Sequence, residues 1–179
     1  MHRDVERILF TAEDIESGVK RIGKKITEDY KGKDLVVIGV LKGAVLFFSD
    51  VVREIDLDCE MDFIGASSYH NAAVSTGVVT ITKDINVDVA GKDVLIIEDI
   101  IDTGRTLSYL KDAVFVKRGA KSVEFCTFID KPERREVSID IKYKCFDTPN
   151  EFVVGYGLDY AEKYRNLPYI GVLKREIYM

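Results

Sequence analysis

Apolar positions in the first third of the chain recur at helical spacing. Residues 12–31 place an apolar side chain at every third or fourth position, at Ile15, Val19, Ile22 and Ile26. Thr11 and Asp14 stand ahead of this run and resemble a capping box. The pattern predicts an amphipathic helix that ends near Lys31–Gly32.

Other apolar runs are continuous, which is typical of strands buried on both faces. Two segments between them have the pattern of helices packed on a sheet, AVLFFSDVVREI (44–55) and TLSYLKDAVFVKR (106–118). Strands alternating with helices predict an α/β fold, with a mostly parallel sheet flanked by helices. The predicted strands are LVVIGVL (35–41), EMDFIGASS (60–68), VLIIE (94–98), SVEFCTFI (122–129), IDIKYKCF (139–146) and EFVVGY (151–156).

The segment between the second and third predicted strands interrupts the alternation of strands and helices. SYHNAAVSTG is small and polar, and VVTITKDINVDVAG resembles a strand and turn with little to add to a core. An excursion of this kind in a compact domain is usually functional and often a lid. We therefore predict a flexible lid over about residues 68–82, mobile without substrates and closing during reaction.

Composition narrows the class of protein. The 179 residues suit one domain, and the net charge of −5 provides no basic footprint for nucleic acid. No apolar run approaches the roughly 20 residues that span a bilayer, and the first ten residues lack a signal-peptide core. Three widely spaced cysteines without a CxxC motif indicate reduced thiols in a cytoplasmic protein. With only two histidines, a histidine-based zinc site is not expected.

The segment VLIIEDIIDTGRTLSYL (94–110) carries the candidate chemistry. Glu98, Asp99 and Asp102 lie within five positions at the end of an apolar run, where unpaired carboxylates repel and are costly to bury. A cation or a polyhydroxylated ligand would resolve that conflict. The following turn, with Thr103, Gly104 and Thr106 at a predicted helix N-terminus, suits a phosphate. A phosphorylated sugar has both the hydroxyls that suit the carboxylates and the phosphate that suits the turn.

Three other interpretations of this turn are weaker. A P-loop requires glycine at position 99, which is Asp99. Aspartic proteases need two DTG carboxylates side by side, and the chain has one DTG. A plain helix-capping turn needs Asp102 or Thr103 alone and leaves Glu98 and Asp99 unexplained.

Four segments together resemble a known family. IIEDIIDTGRTL resembles the 5-phosphoribosyl-1-diphosphate (PRPP) signature of the type I phosphoribosyltransferases. In the hypoxanthine-guanine branch, VLKGA (40–44) resembles the pyrophosphate loop and DKPERR (130–135) the purine-contacting lysine segment. EFVVGYGLDYAEKYRNLPYIGVL (151–173) resembles the base-binding hood of that branch. The similarity runs from about residue 10 to the end of the sequence.

The resemblance implies a fold and an activity. The fold is one domain over residues 1–179, with a core at about 30–145 and a small hood from the N-terminal segment and about 146–179. The activity is purine salvage, in which the phosphoribosyl group of Mg²⁺-bound PRPP moves to N9 of hypoxanthine or guanine. The products are IMP or GMP and pyrophosphate. The family also implies a homodimer or homotetramer.

Site roles follow residue by residue from the same resemblance. Glu98 and Asp99 correspond to acceptors of the ribose hydroxyls and, with Asp159, to magnesium ligands. Asp102 corresponds to the general base that manages the purine N7 proton. The 5′-phosphate loop comprises Asp102, Thr103, Gly104, Arg105 and Thr106.

The remaining roles concern pyrophosphate, the base and the lid. Lys42, Gly43 and Arg165 correspond to pyrophosphate contacts, and the Leu41–Lys42 peptide bond is expected to be cis. The predicted purine contacts are Lys131 at O6, Phe152 by stacking, Val153 through its backbone, and Asp159. Ser68 and Tyr69 resemble the closing-loop pair, followed by His70 where bacterial relatives more often carry glycine. Histidine restricts a hinge that glycine loosens.

Two other functions stay open at this point. A PRPP- or nucleotide-binding regulator on the same fold could lose the base-contacting groups and would favour a basic surface. This chain is acidic and keeps Asp102, Lys131 and Phe152. The second open function is a transferase for another base. A lysine directed at O6 disfavours adenine, whereas xanthine stays open because discrimination against it depends on backbone geometry around Val153.

Overall fold

The computed structural model describes residues 1–68 and 79–179. Tyr69, His70 and most of the predicted lid lie outside the described residues, and of Ser68 the backbone alone is described. The helices are α1 (Ala12–Tyr30), α2 (Val45–Arg53), α3 (Arg105–Tyr109) and α4 (Arg175–Tyr178). The strands are β1 (Val5–Phe10), β2 (Leu35–Leu41), β3 (Glu60–Ser68), β4 (Val79–Lys83), β5 (Asp93–Ile101), β6 (Ser122–Asp130), β7 (Tyr143–Asp147), β8 (Val153–Val154) and β9 (Ile170–Leu173).

Six strands form the main sheet, in the order β4-β3-β2-β5-β6-β7. All neighbours are parallel except β3 and β4, which pair antiparallel. The predicted fold class, a mostly parallel sheet flanked by helices, is confirmed. The carboxyl ends of β2 and β5 lie side by side at the centre, where parallel sheets bind their ligands.

Alternate residues of the central strands enter two separate cores. In β2, Leu35 and Val37 pack in the core that α1 and α2 cover, while Val36 and Ile38 pack with Leu107 on the α3 side. All four strand residues are fully buried. A strand covered on both faces has no polar side to alternate with, which explains the unbroken apolar run.

The first helix has the predicted start and end. Asp14 N donates to Thr11 Oγ1 at 3.2 Å, and Thr11 N donates to Asp14 Oδ2 at 2.9 Å, which completes the capping box. The helix ends at Tyr30, and Gly32 follows with a φ of +75°. The predicted apolar positions form its buried face.

A second sheet joins the two ends of the chain. It is antiparallel, in the order β1-β9-β8, and its core contains Val5, Val154 and Leu173. Sequence analysis predicted neither β1 nor β9, and it extended β8 over 151–156. The strand stops after Val154 because Gly155 and Gly157 have φ angles of +106° and +101°, which turn the chain away from the sheet.

Three further predicted elements differ from the structure. Strand β5 continues past Glu98 to Ile101, because β6 pairs with it as far as Ile101↔Asp130. The helix predicted over 106–118 is α3 followed by a π-helical stretch, Leu110–Val116. The strand predicted over 139–146 starts at Tyr143, where pairing with Cys126 of β6 begins.

The described residues contain no helix long and apolar enough to cross a membrane. The three cysteines are free thiols: Cys126 and Cys145 are buried, and Cys59 is half-buried.

Asp62 connects β3 with β4 and the residues after it, the two strands between which the predicted lid lies. Its carboxylate accepts hydrogen bonds from the backbone N–H groups of Asn86 at 2.5 Å, Phe63 at 2.7 Å and Val87 at 3.2 Å. Lys83 Nζ on β4 donates to the same carboxylate at 3.2 Å. Burial alone would raise the pKa of Asp62, but these donors outweigh it and lower the pKa to about 2.

We predict that Asp62→Asn destabilises the protein at pH 7 by about 2 kcal/mol, because the amide replaces an acceptor with a donor facing backbone N–H groups. A carboxyl whose pKa falls on folding contributes stability above its unfolded pKa, and that contribution is lost as the pH falls toward 2. Urea unfolding at pH 7 and at pH 3 measures both effects. The exposed Asp56→Asn serves as control, and equal losses in the two variants would contradict the prediction.

Candidate active site

A cavity of about 350 Å³ lies at the carboxyl ends of β2 and β5. Most of the predicted site residues line it, although they come from three distant segments of the sequence. They are Lys42, Gly43, Glu98, Asp99, Asp102, Thr103, Gly104, Thr106, Asp159 and Arg165. A larger cavity of about 470 Å³, between α1 and α2, contains none of them.

Two adjacent carboxylates form the acidic part of this cavity. Glu98 is only 8% exposed, and burial together with repulsion from Asp99 raises its pKa well above the ordinary range. Burial raises the pKa of Asp99 too, against the hydrogen bonds from Glu98 and Ile100 N and the charge of Arg165. Because burial and mutual repulsion disfavour two negative charges at this position, a cation bound beside them is favourable.

The donor set fits Mg²⁺ shared with a substrate. This hard cation takes one or two carboxylates and completes its shell with waters and substrate oxygens. Glu98 and Asp99 meet that need, and Asp159 lines the same cavity. Within residues 1–68 and 79–179, no three His, Cys, Asp or Glu side chains are grouped closely enough to hold a metal by themselves.

The loop after β5 is shaped by Gly104 and held by a neighbouring segment. Gly104 has a φ of +83° and precedes α3. The backbone N–H groups of Glu136 and Val137 donate to Thr103 O at 3.0 and 3.1 Å. The Arg105 side chain pairs with Glu136 at 2.6 Å and does not line the cavity. The backbone of this loop, more than Arg105, therefore faces the cavity.

Asp102 directly follows the last residue of β5, and it has a cationic neighbour that the sequence did not predict. Arg134 Nε is 2.8 Å from Asp102 Oδ1, in an ion pair that lacks the alignment of a hydrogen bond. Arg134 belongs to a single 3₁₀ turn, Pro132–Arg134, directly after Lys131. The basic composition of DKPERR (130–135) is the one sequence feature that indicates a cation here, and the family resemblance gives a role only to its Lys131.

Lys131 is buried beside this pair. It is 7% exposed, its Nζ donates to Glu151 O at 2.7 Å, and its backbone N donates to Ile101 O at 3.0 Å. Burial lowers the pKa of Lys131, and the charge of Asp102 opposes that shift. A plain surface lysine, the simplest interpretation of its sequence context, is excluded.

Of the other predicted purine contacts, Asp159 lines the 350 Å³ cavity, whereas Phe152 and Val153 lie outside it. Val153 is buried in β8, and the Phe152 ring stacks on Tyr178 with centroids 4.8 Å apart and planes 23° apart. Tyr160 meets Phe152 edge-on at 5.5 Å. Sequence analysis did not single out either tyrosine. Lys131 connects the Asp102–Arg134 pair with these aromatic residues, because its hydrogen-bond acceptor Glu151 O belongs to the residue directly before Phe152.

The predicted pyrophosphate loop has the expected backbone. The Leu41–Lys42 peptide bond is cis, as predicted. Gly43 lies against Asp99 so closely that a Cβ at Gly43 would overlap the Asp99 carboxylate. On the other side, a Cβ at Gly157 would overlap Gly43 O. The loop is thus packed between β5 and the segment after β8.

Charged side chains close the mouth of the cavity. Arg165 Nη1 donates to Gly157 O at 2.7 Å, and Arg165 Nη2 lies 2.9 Å from Asp159 Oδ1. Glu162 pairs with both Lys42 and Arg165, and hydrogen bonds from these two cations lower the pKa of Glu162. Sequence analysis assigned Glu162 no role.

Comparisons with known proteins agree with this geometry. The sequence profile of the phosphoribosyl transferase domain matches residues 8–161. A hypoxanthine-guanine phosphoribosyltransferase of Streptococcus thermophilus is 53% identical over 178 residues, which cover 99% of this chain and 98% of that protein. The chain belongs to the hypoxanthine-guanine phosphoribosyltransferase family.

Other relatives in the family extend this result. A crystal structure of a hypoxanthine phosphoribosyltransferase from Staphylococcus aureus has a TM-score of 0.95 and 49% identity, covering 100% of this chain and 97% of that one. A bifunctional TilS/HprT protein of Listeria innocua is 53% identical, but this chain spans only 27% of its length. The family is therefore found both as a chain of this size and as part of a longer protein.

We predict that Gly157→Ala lowers stability and raises the KM for PRPP, because the new methyl group must displace Gly43 O. Gly91→Ala is the control: its φ of +73° is also positive and unfavourable for alanine, but a Cβ there would meet nothing within 4 Å. Gly91→Ala should cost about 1–2 kcal/mol in unfolding free energy and leave KM unchanged. Thermal melting and steady-state kinetics measure both variants, and identical behaviour would show that the contact with Gly43 is irrelevant.

Proposed function

We propose that the chain transfers the 5-phosphoribosyl group of PRPP to N9 of hypoxanthine and guanine, forming IMP or GMP and pyrophosphate. The observation that carries this proposal is the contact between two predicted half-sites at one cavity. Buried Glu98 and half-buried Asp99, suited to hydroxyls and a cation, directly adjoin the Lys42–Gly43 loop, which together with Arg165 is suited to contact the diphosphate. PRPP presents these groups on adjoining atoms.

The acidic pair and the loop after β5 position the sugar. Glu98 and Asp99 accept hydrogen bonds from the ribose hydroxyls, and their charge stabilises the positive charge that develops on the ribose as pyrophosphate leaves. The backbone of Thr103, Gly104 and Thr106 holds the 5′-phosphate. Glu98, Asp99 and Asp159 would hold Mg²⁺ together with substrate oxygens, and the bound ion would supply Lewis-acid neutralisation of the leaving group.

Lys131 and Phe152 select and orient the base. An ammonium has three donors, so Lys131 can donate to O6 while it retains Glu151 O. Phe152 stacks on the purine from a position that Tyr178 supports on one face. Asp102, next to Lys131, takes the proton at N7 once Arg134 releases its carboxylate.

Several features complete the proposal. The β1-β9-β8 sheet acts as a hood over the base within one domain, with the core at about 30–145, and the 68–82 segment closes over the site and excludes water. The enzyme works in the cytoplasm as a homodimer or homotetramer. Free cysteines, two of them buried, suit a reducing compartment.

A purine panel tests the function. The purified protein is incubated with PRPP, Mg²⁺ and hypoxanthine, guanine, xanthine or adenine in turn, and nucleotide formation is followed. We expect nucleotide from hypoxanthine and guanine and none from adenine. PRPP binding without any nucleotide would instead support a regulator, and a preference for xanthine would reassign the substrate.

We predict that Asp102→Asn keeps the fold and PRPP binding but slows turnover by about 10²–10⁴-fold, because the amide cannot take the N7 proton. Arg134→Met is the control, since it removes the same ion pair and leaves the carboxylate. Single-turnover kinetics with hypoxanthine compare the two. If Asp102→Asn turned over like the wild type, or Arg134→Met were equally slow, Asp102 would not be the base.

We predict that Lys131→Ala raises the KM for hypoxanthine about 10- to 100-fold and changes the KM for PRPP little, because a hydrogen bond to a charged donor contributes about 1.5–3 kcal/mol. Exposed Lys24→Ala controls for loss of one positive charge. Steady-state kinetics with each substrate varied gives both constants. Equal losses for base and PRPP would mean that Lys131 supports the site generally and does not recognise O6.

A further inference from the structure

One carboxylate oxygen bridges two cations at the mouth of the cavity. Glu162 Oε2 lies 3.2 Å from Lys42 Nζ and 3.3 Å from Arg165 Nη2. The side chains of Lys42 and Glu162 are 69% and 65% exposed, so the bridge is accessible to solvent. Lys42 and Arg165 are also the two cationic side chains that we propose for pyrophosphate.

A phosphate oxygen can take the place of this carboxylate oxygen. Lysine and arginine form the same charge-assisted hydrogen bonds with both kinds of group. Among the described residues, Glu162 is the one carboxylate within 4.0 Å of Lys42 Nζ. As long as the bridge exists, Lys42 is engaged by an acid of its own chain.

Arg165 does not depend on Glu162 for its position. Gly157 O accepts from Nη1 at 2.7 Å, and Asp159 Oδ1 lies 2.9 Å from Nη2. Its Nε is buried and has no hydrogen-bond partner within residues 1–68 and 79–179. The guanidinium is thus held by two partners other than Glu162.

The backbone of Glu162 is anchored separately from its side chain. Glu162 N donates to Asp159 Oδ2 at 2.9 Å. Replacing the carboxylate with an amide leaves this hydrogen bond and the turn around it intact. The side chain can therefore leave the two cations without unfolding the segment.

We propose that the Glu162 carboxylate is an internal counter-ion that occupies the diphosphate position of the resting enzyme and is displaced when PRPP or pyrophosphate binds. This inference rests on the proposed function, in which Lys42 and Arg165 contact pyrophosphate. Displacement lowers the affinity of the site for diphosphate groups. The returning carboxylate also favours release of the pyrophosphate product.

Glu162→Gln tests the proposal because it predicts a gain in affinity. Exposed ion pairs contribute little, so the dissociation constant for Mg²⁺–pyrophosphate and the KM for PRPP should each fall by about two- to tenfold. The KM for hypoxanthine should not change. Simple loss of structure would weaken binding of both substrates, so a gain confined to the diphosphate ligands separates the two explanations.

Two further variants control the measurement. Glu28→Gln on α1 makes the same change in net charge at an exposed position outside the cavity, and should leave pyrophosphate binding as it is. In a Lys42→Met background, the effect of Glu162→Gln should shrink, because one of its two cationic partners is gone. Calorimetric titration with pyrophosphate and Mg²⁺ measures five proteins: the wild type, Glu162→Gln, Glu28→Gln, Lys42→Met and the double variant that combines Lys42→Met with Glu162→Gln.

The outcomes are distinct. Unchanged or weaker pyrophosphate binding by Glu162→Gln, or an equal gain in Glu28→Gln, would overturn the counter-ion role. If the wild type formed no nucleotide from PRPP and Glu162→Gln still bound pyrophosphate more tightly, the proposed function would fail and the counter-ion role would stand. If neither protein bound pyrophosphate, both would fail.

Discussion

The repulsion between two adjacent carboxylates, buried Glu98 and half-buried Asp99, is the constraint around which the cavity is organised. A stable domain would gain from removing either charge, since burial alone disfavours the ionised form of each. The chain instead puts them near the end of a central parallel strand. Neighbouring strands and helices fix their position there, and the cavity gives a ligand direct access to them.

Other charges of the site are compensated by side chains of the same chain. Asp102 pairs with Arg134, and Lys42 pairs with Glu162. Solvent-accessible ion pairs of this kind are weak and exchange readily for a ligand. The resting site thus combines one uncompensated acidic pair, Glu98 and Asp99, with several weak ion pairs. A ligand with both hydroxyls and phosphates can donate hydrogen bonds to the acidic pair, and its phosphates can replace the carboxylates in the ion pairs.

The sequence was sufficient for the parts of the fold that depend on short-range patterns. The capping box follows from the spacing of Thr11 and Asp14, and the buried strand 35–41 and the parallel sheet follow from apolar patterns. Both kinds of pattern act over a few residues. Strands β1 and β9 escaped prediction because each is short and is defined by its partner at the other end of the chain. The extension of β5 through Ile101 likewise depends on pairing with β6, which no local pattern records.

The site could be predicted in the same uneven way. Residues of a contiguous motif, 98–106, were found from their chemistry, whereas Lys131 and Phe152 depended on a family resemblance, because a single lysine or phenylalanine has no distinctive spacing. Arg134, Glu162 and Tyr178 were missed because their roles exist only in contacts between segments. These are pairwise properties of the folded chain.

The segment after β8 shows why such contacts matter for the reaction. Tyr156, Ala161, Glu162 and Tyr164 all have positive φ angles, between 45° and 75°, in a region that non-glycine residues rarely occupy. Each costs about 1–3 kcal/mol and persists only where surrounding contacts determine it. Here those contacts include Tyr156 OH to Asp50 at 2.6 Å and Tyr164 OH to Asp4 at 3.0 Å, which fasten the segment to α2 and to the N-terminal segment. The strained turns aim Asp159 and Arg165 at the cavity, so the stability of the rest of the fold maintains the geometry on which the chemistry depends.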